Sequence, residues 1–369
     1  MDVPTRSPEQ QAHVTELAVA LHGQGHEVTL FRRRTDASSP GRVRTSDGYE
    51  VVFAPAGPPA PLDEAETEPH LGALAEFLAD EWRLSRPDVV HSHGWMAGLA
   101  AVLGAHGTEI PVVHSVHGGE TREPLRSAGK LLARRVARFV TTSAAEVPEL
   151  TRTGVHRARI GIVPGSVDLD LFHPDGAVAR RKAPHRIVSV ANAESSRGVA
   201  ELVSVLPALE DTELVVIGAG REASELTAFA RRTGVAKRVA LAGQVARSVR
   251  PALLRSADVV VCTPESAPFG RTALEAMACG VPLVATEVGV LADAVVRNVT
   301  GVHVPAGNTH ALARTLTRLL GDPALRDQFG IAARDRAQAR YSRDRLAREL
   351  VTVYSRVVEV PAEAAQIVS

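Results

Sequence analysis

Cysteine is almost absent from this sequence: Cys262 and Cys279 are the only two among 369 residues. Two cysteines are too few for the disulfide framework that stabilises many small secreted domains. Cys262 lies in a run typical of a buried strand and Cys279 at the end of a helical run, which favours core thiols over redox chemistry. We therefore expect a cytoplasmic protein.

Net charge and long apolar runs are absent as well. The 42 Lys and Arg residues balance the 42 Asp and Glu residues, so no global field attracts nucleic acid or an anionic membrane surface. No apolar run approaches the roughly 18 residues of a membrane span. The opening "MDVPTRSPEQQAHV" has neither the basic start nor the apolar core of a signal peptide. We expect a globular protein without a nucleic-acid partner or a transmembrane segment.

The length and the order of the apolar runs predict a two-domain α/β protein, because 369 residues exceed one ordinary core. Short β-rich runs alternate with helical runs, which is typical of a parallel, doubly wound sheet. The β-rich runs are "HEVTLFRR", "DVVHSH", "PVVHSVH" and "ARFVTTS", then "RIVSVAN", "TELVVIGAG", "RVALAGQV", "ADVVVCTP", "VPLVAT" and "GVHVPAG". Residues 163–185, rich in proline, glycine and basic residues, are predicted to link the two domains. Ligands of such sheets bind at the carboxyl ends of the strands, which predicts a site in a cleft between the domains.

Two details of this pattern concern the end of the chain. Every strand of the second set except "GVHVPAG" is predicted to precede a helix. The segment "ARDRAQARYSRDRLARELVTVYSRVVE" is predicted to be strongly helical and charged on one face.

Histidines end two predicted strands of the first half. His91 and His93 alternate with Ser92 and should share one side of their strand, whereas His114 and His117 should not. Because no carboxylate or cysteine spacing completes a metal site, a polar contact or an acid–base role is favoured over metal binding.

Two glycine-containing turns in the second half are candidate phosphate sites. "VVIGAG" places Gly218 and Gly220 after a strand, but the acidic residue of a dinucleotide fingerprint is missing, so a simple strand-to-helix turn is favoured. "VANAESSRG" brings Asn192 and Arg197 to a helix start, where backbone amides and a guanidinium suit a phosphate. A solvated loop with an exposed arginine explains that second run equally well.

The segment "PFGRTALEAMACG" carries the most specific signal. Phe269, Gly270 and Arg271 begin a helix whose amides suit phosphate or sugar hydroxyls, and Glu275 lies one turn beyond Arg271. The alternative is an exposed Arg271–Glu275 pair, worth only a few tenths of a kcal/mol. The small residues that follow Glu275 favour a helix packed closely on a sheet.

In order and spacing, "ALLRSADVVVCTP", "PFGRTALEAMACGVPLVATEVGVLADAVV" and "VTGVHVPAGN" resemble the donor-domain signature of the retaining glycosyltransferases of family 4. The resemblance implies an α/β protein with the GT-B fold, in which two Rossmann-like doubly wound domains face a central cleft. It implies an acceptor-side domain over 1–170, a nucleotide-sugar domain over 171–340, and a terminal helix over 341–369 that returns to the first domain. It also implies metal-independent transfer from a nucleoside-diphosphate sugar to a small-molecule or glycoside hydroxyl, with no cofactor beyond that co-substrate.

The resemblance assigns roles to single residues. His117 matches the histidine beside the transferred sugar, and Glu275 matches the glutamate that accepts hydrogen bonds from the two ribose hydroxyls. The positions that match the donor-binding residues are Asn192, Arg197, Gly218, Ala267, Phe269, Gly270, Arg271, Thr272 and Glu275. The acceptor-side positions are Glu9, Gln10 and His93.

Three positions depart from the family pattern. Ala267 stands where the family has a glutamate that contacts sugar hydroxyls, with Glu265 two residues earlier. Asn192 stands where a cation of the diphosphate site is expected, and Pro8-Glu9 replaces a glycine pair. These departures leave open a donor with altered hydroxyls, such as a deoxy or amino sugar.

Two other functions remain open at this point: a transferase-like binding or partner subunit with little catalysis, and a nicotinamide oxidoreductase. The alanine- and arginine-rich composition indicates a GC-rich bacterial genome, in which such enzymes modify secondary metabolites.

Overall fold

The computed structural model describes residues 8–117, 125–191, 195–218, 220 and 222–358. They form two compact units. The first comprises the described residues up to Pro164 together with those from Arg343 onward, and the second comprises those from Gly165 to Ser342. In the part of the chain that the structure describes, no helix combines the length and the apolar character needed to cross a bilayer.

Strands and helices alternate through most of both units. The strands are β1 (Thr29–Arg33), β2 (Arg42–Arg44), β3 (Glu50–Ala54), β4 (Val90–His93), β5 (Val112–Val116), β6 (Arg138–Thr141), β7 (Ile160–Ile162), β8 (His185–Val190), β9 (Thr212–Ile217), β10 (Val239–Gly243), β11 (Val259–Cys262), β12 (Leu283–Ala285) and β13 (Gly301–His303). The helices are α1 (Pro8–Gly23), α2 (Glu64–Thr67), α3 (Leu71–Ser85), α4 (Trp95–Gly104), α5 (Leu125–Arg135), α6 (Val147–Arg152), α7 (Ser196–Val205), α8 (Ala223–Arg232), α9 (Arg250–Arg255), α10 (Arg271–Ala278), α11 (Gly289–Ala294), α12 (Thr309–Gly321), α13 (Pro323–Arg340) and α14 (Arg343–Val358).

The first unit contains two sheets. Strands β4, β5, β6 and β7 are parallel in that order, and a three-stranded sheet has the order β1-β3-β2 with β2 antiparallel to β3. Strands β2, β3 and β7 were not among the predicted β-rich runs. The short exposed β2 has no apolar pattern that could identify it, since all three of its residues face solvent.

The second unit is built on one six-stranded parallel sheet. Its order is β10-β9-β8-β11-β12-β13, the order typical of Rossmann-type domains. All six residues of β9 are buried, as expected for a strand covered by helices on both faces. The doubly wound α/β prediction is therefore confirmed. The strand order reverses between β8 and β11, and in such sheets the ligand crevice lies at that reversal.

The prediction about the last strand is wrong, whereas the terminal segment is helical as predicted. A helix does follow the last strand: α12 begins after Asn308, whose side chain accepts a hydrogen bond from the Ala311 amide at 2.9 Å. The terminal segment lies in two helices, α13 and α14. They are separated at Tyr341, whose carbonyl accepts a hydrogen bond from the Val167 amide at 2.8 Å.

A close helix contact in the second unit depends on glycine. Helices α10 and α13 pack together, and a Cβ atom placed on Gly330 of α13 would overlap the carbonyl oxygen of Gly280. Because backbone is on the other side of this contact, no side-chain rotation can relieve the overlap. Only glycine lets the two helices approach this closely.

Gly330→Ala should therefore destabilise the second unit by about 1–3 kcal/mol, the usual cost of overpacking, although alanine is the better helix former. Urea unfolding followed by circular dichroism measures the loss. The control is Gly321→Ala, at an exposed helix end where a Cβ meets nothing within 4 Å. Equal stability of the two variants would contradict the proposed contact.

Candidate functional site

The reversal of strand order brings two segments of the second unit together. The first turn of α7 lies against the segment that follows β11, because a Cβ on Gly198 would overlap the carbonyl of Thr263. Gly218 follows β9 with φ of 94°, and a Cβ there would lie 2.6 Å from the carbonyl oxygen of Ala191. The segments that follow β8, β9 and β11 therefore approach one another closely. Any side chain at Gly198 or Gly218 would prevent this approach.

Glu275 is buried at the middle of α10, with only 2% of the residue exposed. Its Oε1 accepts a hydrogen bond from Arg271 Nε at 3.0 Å, and its Oε2 lies 2.7 Å from Arg250 Nη2. The alternative of an exposed Arg271–Glu275 pair is therefore wrong. Residues 273 to 278 of α10 are all buried, so the small residues do pack this helix tightly.

Arg250 was not predicted from the sequence. It begins α9, and its Nη2 also donates a hydrogen bond to Thr272 Oγ1 at 3.3 Å. No local spacing could have indicated it, because it reaches Glu275 from a different helix. The packing of α9 on α10 brings the two side chains together.

Arg197 extends from the first turn of α7, and 71% of its side chain is exposed. Its guanidinium lies 3.3 Å from Glu201 and 3.4 Å from Glu265, so it connects α7 to the segment after β11. Glu265 lies two residues before Ala267, the position at which the family resemblance expects a glutamate. The Glu265 carboxylate contacts Arg197. Asn192, the other predicted phosphate-site residue, lies outside the described residues.

The loop before α10 is fixed by apolar packing. Ala267 and Phe269 are buried, and Ala267 belongs to the main apolar cluster of this unit. The carbonyl of Ala267 accepts a hydrogen bond from the Val290 amide at 2.9 Å, and Gly270 caps α10 with φ of 56°. A carboxylate at position 267 would thus lie in an apolar environment. The loss of its hydration would cost free energy.

The predicted histidines of the first unit also lie together. His93 Nδ1 and His117 Nε2 are 3.2 Å apart, and the ring of His13 lies 5.5 Å from that of His117. Burial lowers the pKa of His93 and of His117 well below the usual value. Both rings are therefore neutral at pH 7, and one N–H, carried by either ring, joins them.

A second group of polar side chains lies beside this pair. The rings of His91 and His93 are 4.3 Å apart, as expected for two residues on one side of a strand. His91 Nδ1 lies 2.7 Å from the Tyr354 hydroxyl of α14, and its Nε2 lies 2.8 Å from Ser115 Oγ. Burial raises the pKa of Tyr354, so the phenol keeps its proton.

His114 points away from this group. Its Nδ1 lies 2.9 Å from Ser92 Oγ, and its ring packs edge-on against Phe139. Burial lowers its pKa to about 4. This separation of His114 from His117 agrees with the prediction from the alternation along the strand.

The predicted acceptor-side residues Glu9 and Gln10 lie in the first turn of α1, where Gln10 is buried. Within the described ranges, no three His, Cys, Asp or Glu side chains are arranged to hold a metal ion.

Comparison with known proteins shows which family models and which relatives this chain matches. The family model described as "Glycosyltransferase Family 4" matches residues 10–171, and the model described as "Glycosyl transferases group 1" matches residues 176–336. A D-inositol 3-phosphate glycosyltransferase from Xylanimonas cellulosilytica is 33% identical over 94% of this chain and 91% of its own length. A glycogen synthase from Mycobacterium tuberculosis is 28% identical over 93% of this chain and 89% of its own length.

Solved structures show the same fold. Sucrose-phosphate synthase from Thermosynechococcus elongatus superposes with a TM-score of 0.84 at 24% identity, covering 94% of this chain and 93% of its own. Anabaena HepE in complex with UDP-glucose superposes with a TM-score of 0.76 at 18% identity, covering 96% of this chain and 98% of its own. The predicted GT-B fold of two Rossmann-like domains is confirmed.

The buried histidines predict a loss of stability in acid. A histidine whose folded pKa lies below its unfolded value of about 6.5 stabilises the fold fully above pH 6.5, and this stability is lost as the pH falls toward the folded pKa. For His114 the window runs from about pH 6.5 to about pH 4. His114→Gln should therefore reduce the slope of unfolding free energy against pH in this window by up to about 1.4 kcal/mol per pH unit.

Both tryptophans, Trp82 and Trp95, lie in the first unit, so urea unfolding followed by tryptophan fluorescence reports on that unit. His106→Gln, at an exposed position of the same unit, is the control. An unchanged slope in His114→Gln would show that this histidine does not titrate on unfolding.

Proposed function

Because this chain belongs to glycosyltransferase family 4 and is a glycosyltransferase, we propose that it uses a nucleoside-diphosphate sugar and retains the anomeric configuration. The acceptor is a hydroxyl group of a small molecule or glycoside. The relatives named above support this class, since they include a D-inositol 3-phosphate glycosyltransferase and a glycogen synthase. Family membership favours sugar transfer over the oxidoreductase and the non-catalytic alternatives.

The observation that carries the proposal is the buried carboxylate of Glu275, on the helix that follows and contacts β11, one of the two strands at the order reversal of a Rossmann-type sheet. A carboxylate has about four acceptor positions, and the hydrogen bond from Arg271 occupies one of them on Oε1, so positions remain on both oxygens for a vicinal diol. The two guanidiniums also make the surroundings cationic, which suits an anionic nucleotide. Glu275 thereby binds the donor ribose.

Arg197 serves the donor diphosphate. Its guanidinium is exposed at the start of a ten-residue helix, where free backbone amides add to the positive charge. The present contacts with Glu201 and Glu265 are exposed ion pairs, which cost little to exchange for a phosphate. Asn192, which lies outside the described residues, stays a prediction for this site, and Arg271 supplies positive charge.

His117 acts at the transferred sugar. Its neutral ring can donate or accept a hydrogen bond, and its partner His93 holds one nitrogen at 3.2 Å. Transfer with retention then relies on the donor phosphate to take the acceptor proton, so the protein orients the reactants and stabilises the leaving diphosphate. This route needs neither a metal ion nor a nucleophile from the protein.

The identity of the donor base and acceptor is also part of the proposal. The similar fold of HepE, solved in complex with UDP-glucose, makes uridine nucleotides the first candidates. The buried methyl of Ala267 supports a donor that lacks or alters the hydroxyls that a glutamate would bind. The two-cysteine composition supports action in the cytoplasm, and the alanine- and arginine-rich composition supports a bacterial source.

The binding role of Glu275 is tested with Glu275→Gln, which keeps the shape of the side chain and removes its charge. Affinity for the preferred nucleoside diphosphate should fall by about 1.5–3 kcal/mol, the range for a hydrogen bond to a charged group. Titration calorimetry with UDP, GDP and ADP gives the values. Glu210→Gln, at an exposed position of the same unit, should bind like the wild type. Unchanged affinity in Glu275→Gln would remove the ribose role.

The role of His117 is tested with His117→Ala. Turnover should fall at least tenfold while nucleotide affinity stays within about twofold, because the contact matters most as the glycosidic bond breaks. Product mass from a panel of hexose, deoxyhexose and amino-sugar donors measures turnover, and calorimetry measures affinity. A collapse of nucleotide affinity with normal turnover at saturation would instead make His117 a binding residue.

A further inference from the structure

We propose that Arg250 is a positioning residue for donor binding, which orients the Glu275 carboxylate toward the ribose diol. The inference rests on the proposed function, because it concerns the same nucleotide site. It adds a residue from another helix that neither the sequence motif nor the family resemblance includes.

The first step concerns the freedom of the Glu275 side chain. Arg271 lies one turn earlier on the same helix and holds only Oε1. The terminal torsion of a glutamate is broad, so one hydrogen bond leaves the plane of the carboxylate poorly defined. Arg250 reaches Oε2 from α9 at 2.7 Å, and contacts from two helices define the plane.

The second step concerns what remains available on Oε2. Although Arg250 Nη2 lies 2.7 Å away, this oxygen makes no hydrogen bond with any group in the described part of the chain, because the N–H groups are poorly aligned with it. Arg250 therefore holds this buried oxygen by charge, and no hydrogen bond from the described part of the chain occupies its lone pairs. A ribose hydroxyl that reaches this oxygen on binding would donate to those lone pairs without displacing the arginine.

The third step concerns the rigidity of Arg250 itself. The next residue, Pro251, is buried in the first turn of α9, and Leu254 is fully buried one turn later. The guanidinium is also held by Thr272 Oγ1 at 3.3 Å, and 19% of the side chain is exposed. The arginine is therefore anchored at both ends, as a group that orients a ligand-binding carboxylate must be.

The effect of Arg250 on nucleotide affinity should therefore depend on the ribose hydroxyls of the nucleotide. A purely structural arginine would affect all nucleotides alike. Without Arg250 the carboxylate remains, but its second oxygen loses its anchor. A variant without Arg250 should then lose affinity only for nucleotides that carry the ribose diol.

The experiment measures the affinity of UDP, GDP and ADP and of their 2′,3′-dideoxy counterparts by calorimetry, for wild type, Arg250→Met and Arg250→Lys. For the nucleotide that wild type prefers, Arg250→Met should weaken binding about tenfold, whereas binding of the dideoxy form should change less than twofold. Arg250→Lys keeps the charge and should recover part of the loss. It also replaces Arg250→Met if circular dichroism shows that variant to be unfolded.

Arg314→Met, at an exposed position of α12 in the same unit, is the control and should match wild type for every ligand. Equal losses for the ribose and dideoxy forms, or no loss for either, would overturn the role of Arg250 while leaving nucleotide binding intact. Failure of the wild type to bind any of the three nucleotides would overturn the proposed function, and this inference with it.

Discussion

The candidate donor site depends on β8 and β11 being neighbours, although two other strands separate them in the chain. In a parallel sheet the carboxyl ends of adjacent strands lie at one edge, so the segments that follow them must share limited space. Gly198 makes that sharing possible, because no side chain separates α7 from the carbonyl of Thr263. The pairing of Arg197 with Glu265 follows from this sheet order, not from proximity in the sequence.

Much of this architecture could be predicted from the sequence. Buried parallel strands such as β9 are continuous apolar runs, and the segment from Phe269 to Gly280 identified both the family and a helix packed on the sheet. Arg250 could not be predicted, because its contact with Glu275 depends on how two helices pack. The break at Tyr341 could not be predicted either, since the helical pattern continues across it and a hydrogen bond from Val167 marks the end of α13.

The two candidate sites use different physical means to hold polar groups away from water. At Glu275 the burial of a charge is offset by opposite charges from Arg250 and Arg271. In the first unit the histidines are buried as neutral rings, and hydrogen bonds join His93 to His117 and His91 to Tyr354 and Ser115. The first arrangement creates a local field suited to an anion, whereas the second fixes the orientation of rings without a net charge.

The return of α14 to the first unit has a consequence for biosynthesis. Leu346, Leu350 and Val353 complete an apolar cluster with Val113 and Val140, which are synthesised more than two hundred residues earlier. The second unit is continuous in sequence and can close its core once Ser342 has left the ribosome. The first unit must keep part of its sheet uncovered throughout that time. The half that is synthesised first is therefore the half that finishes folding last, and the interval between the two is when nascent chains of this protein are most exposed to aggregation.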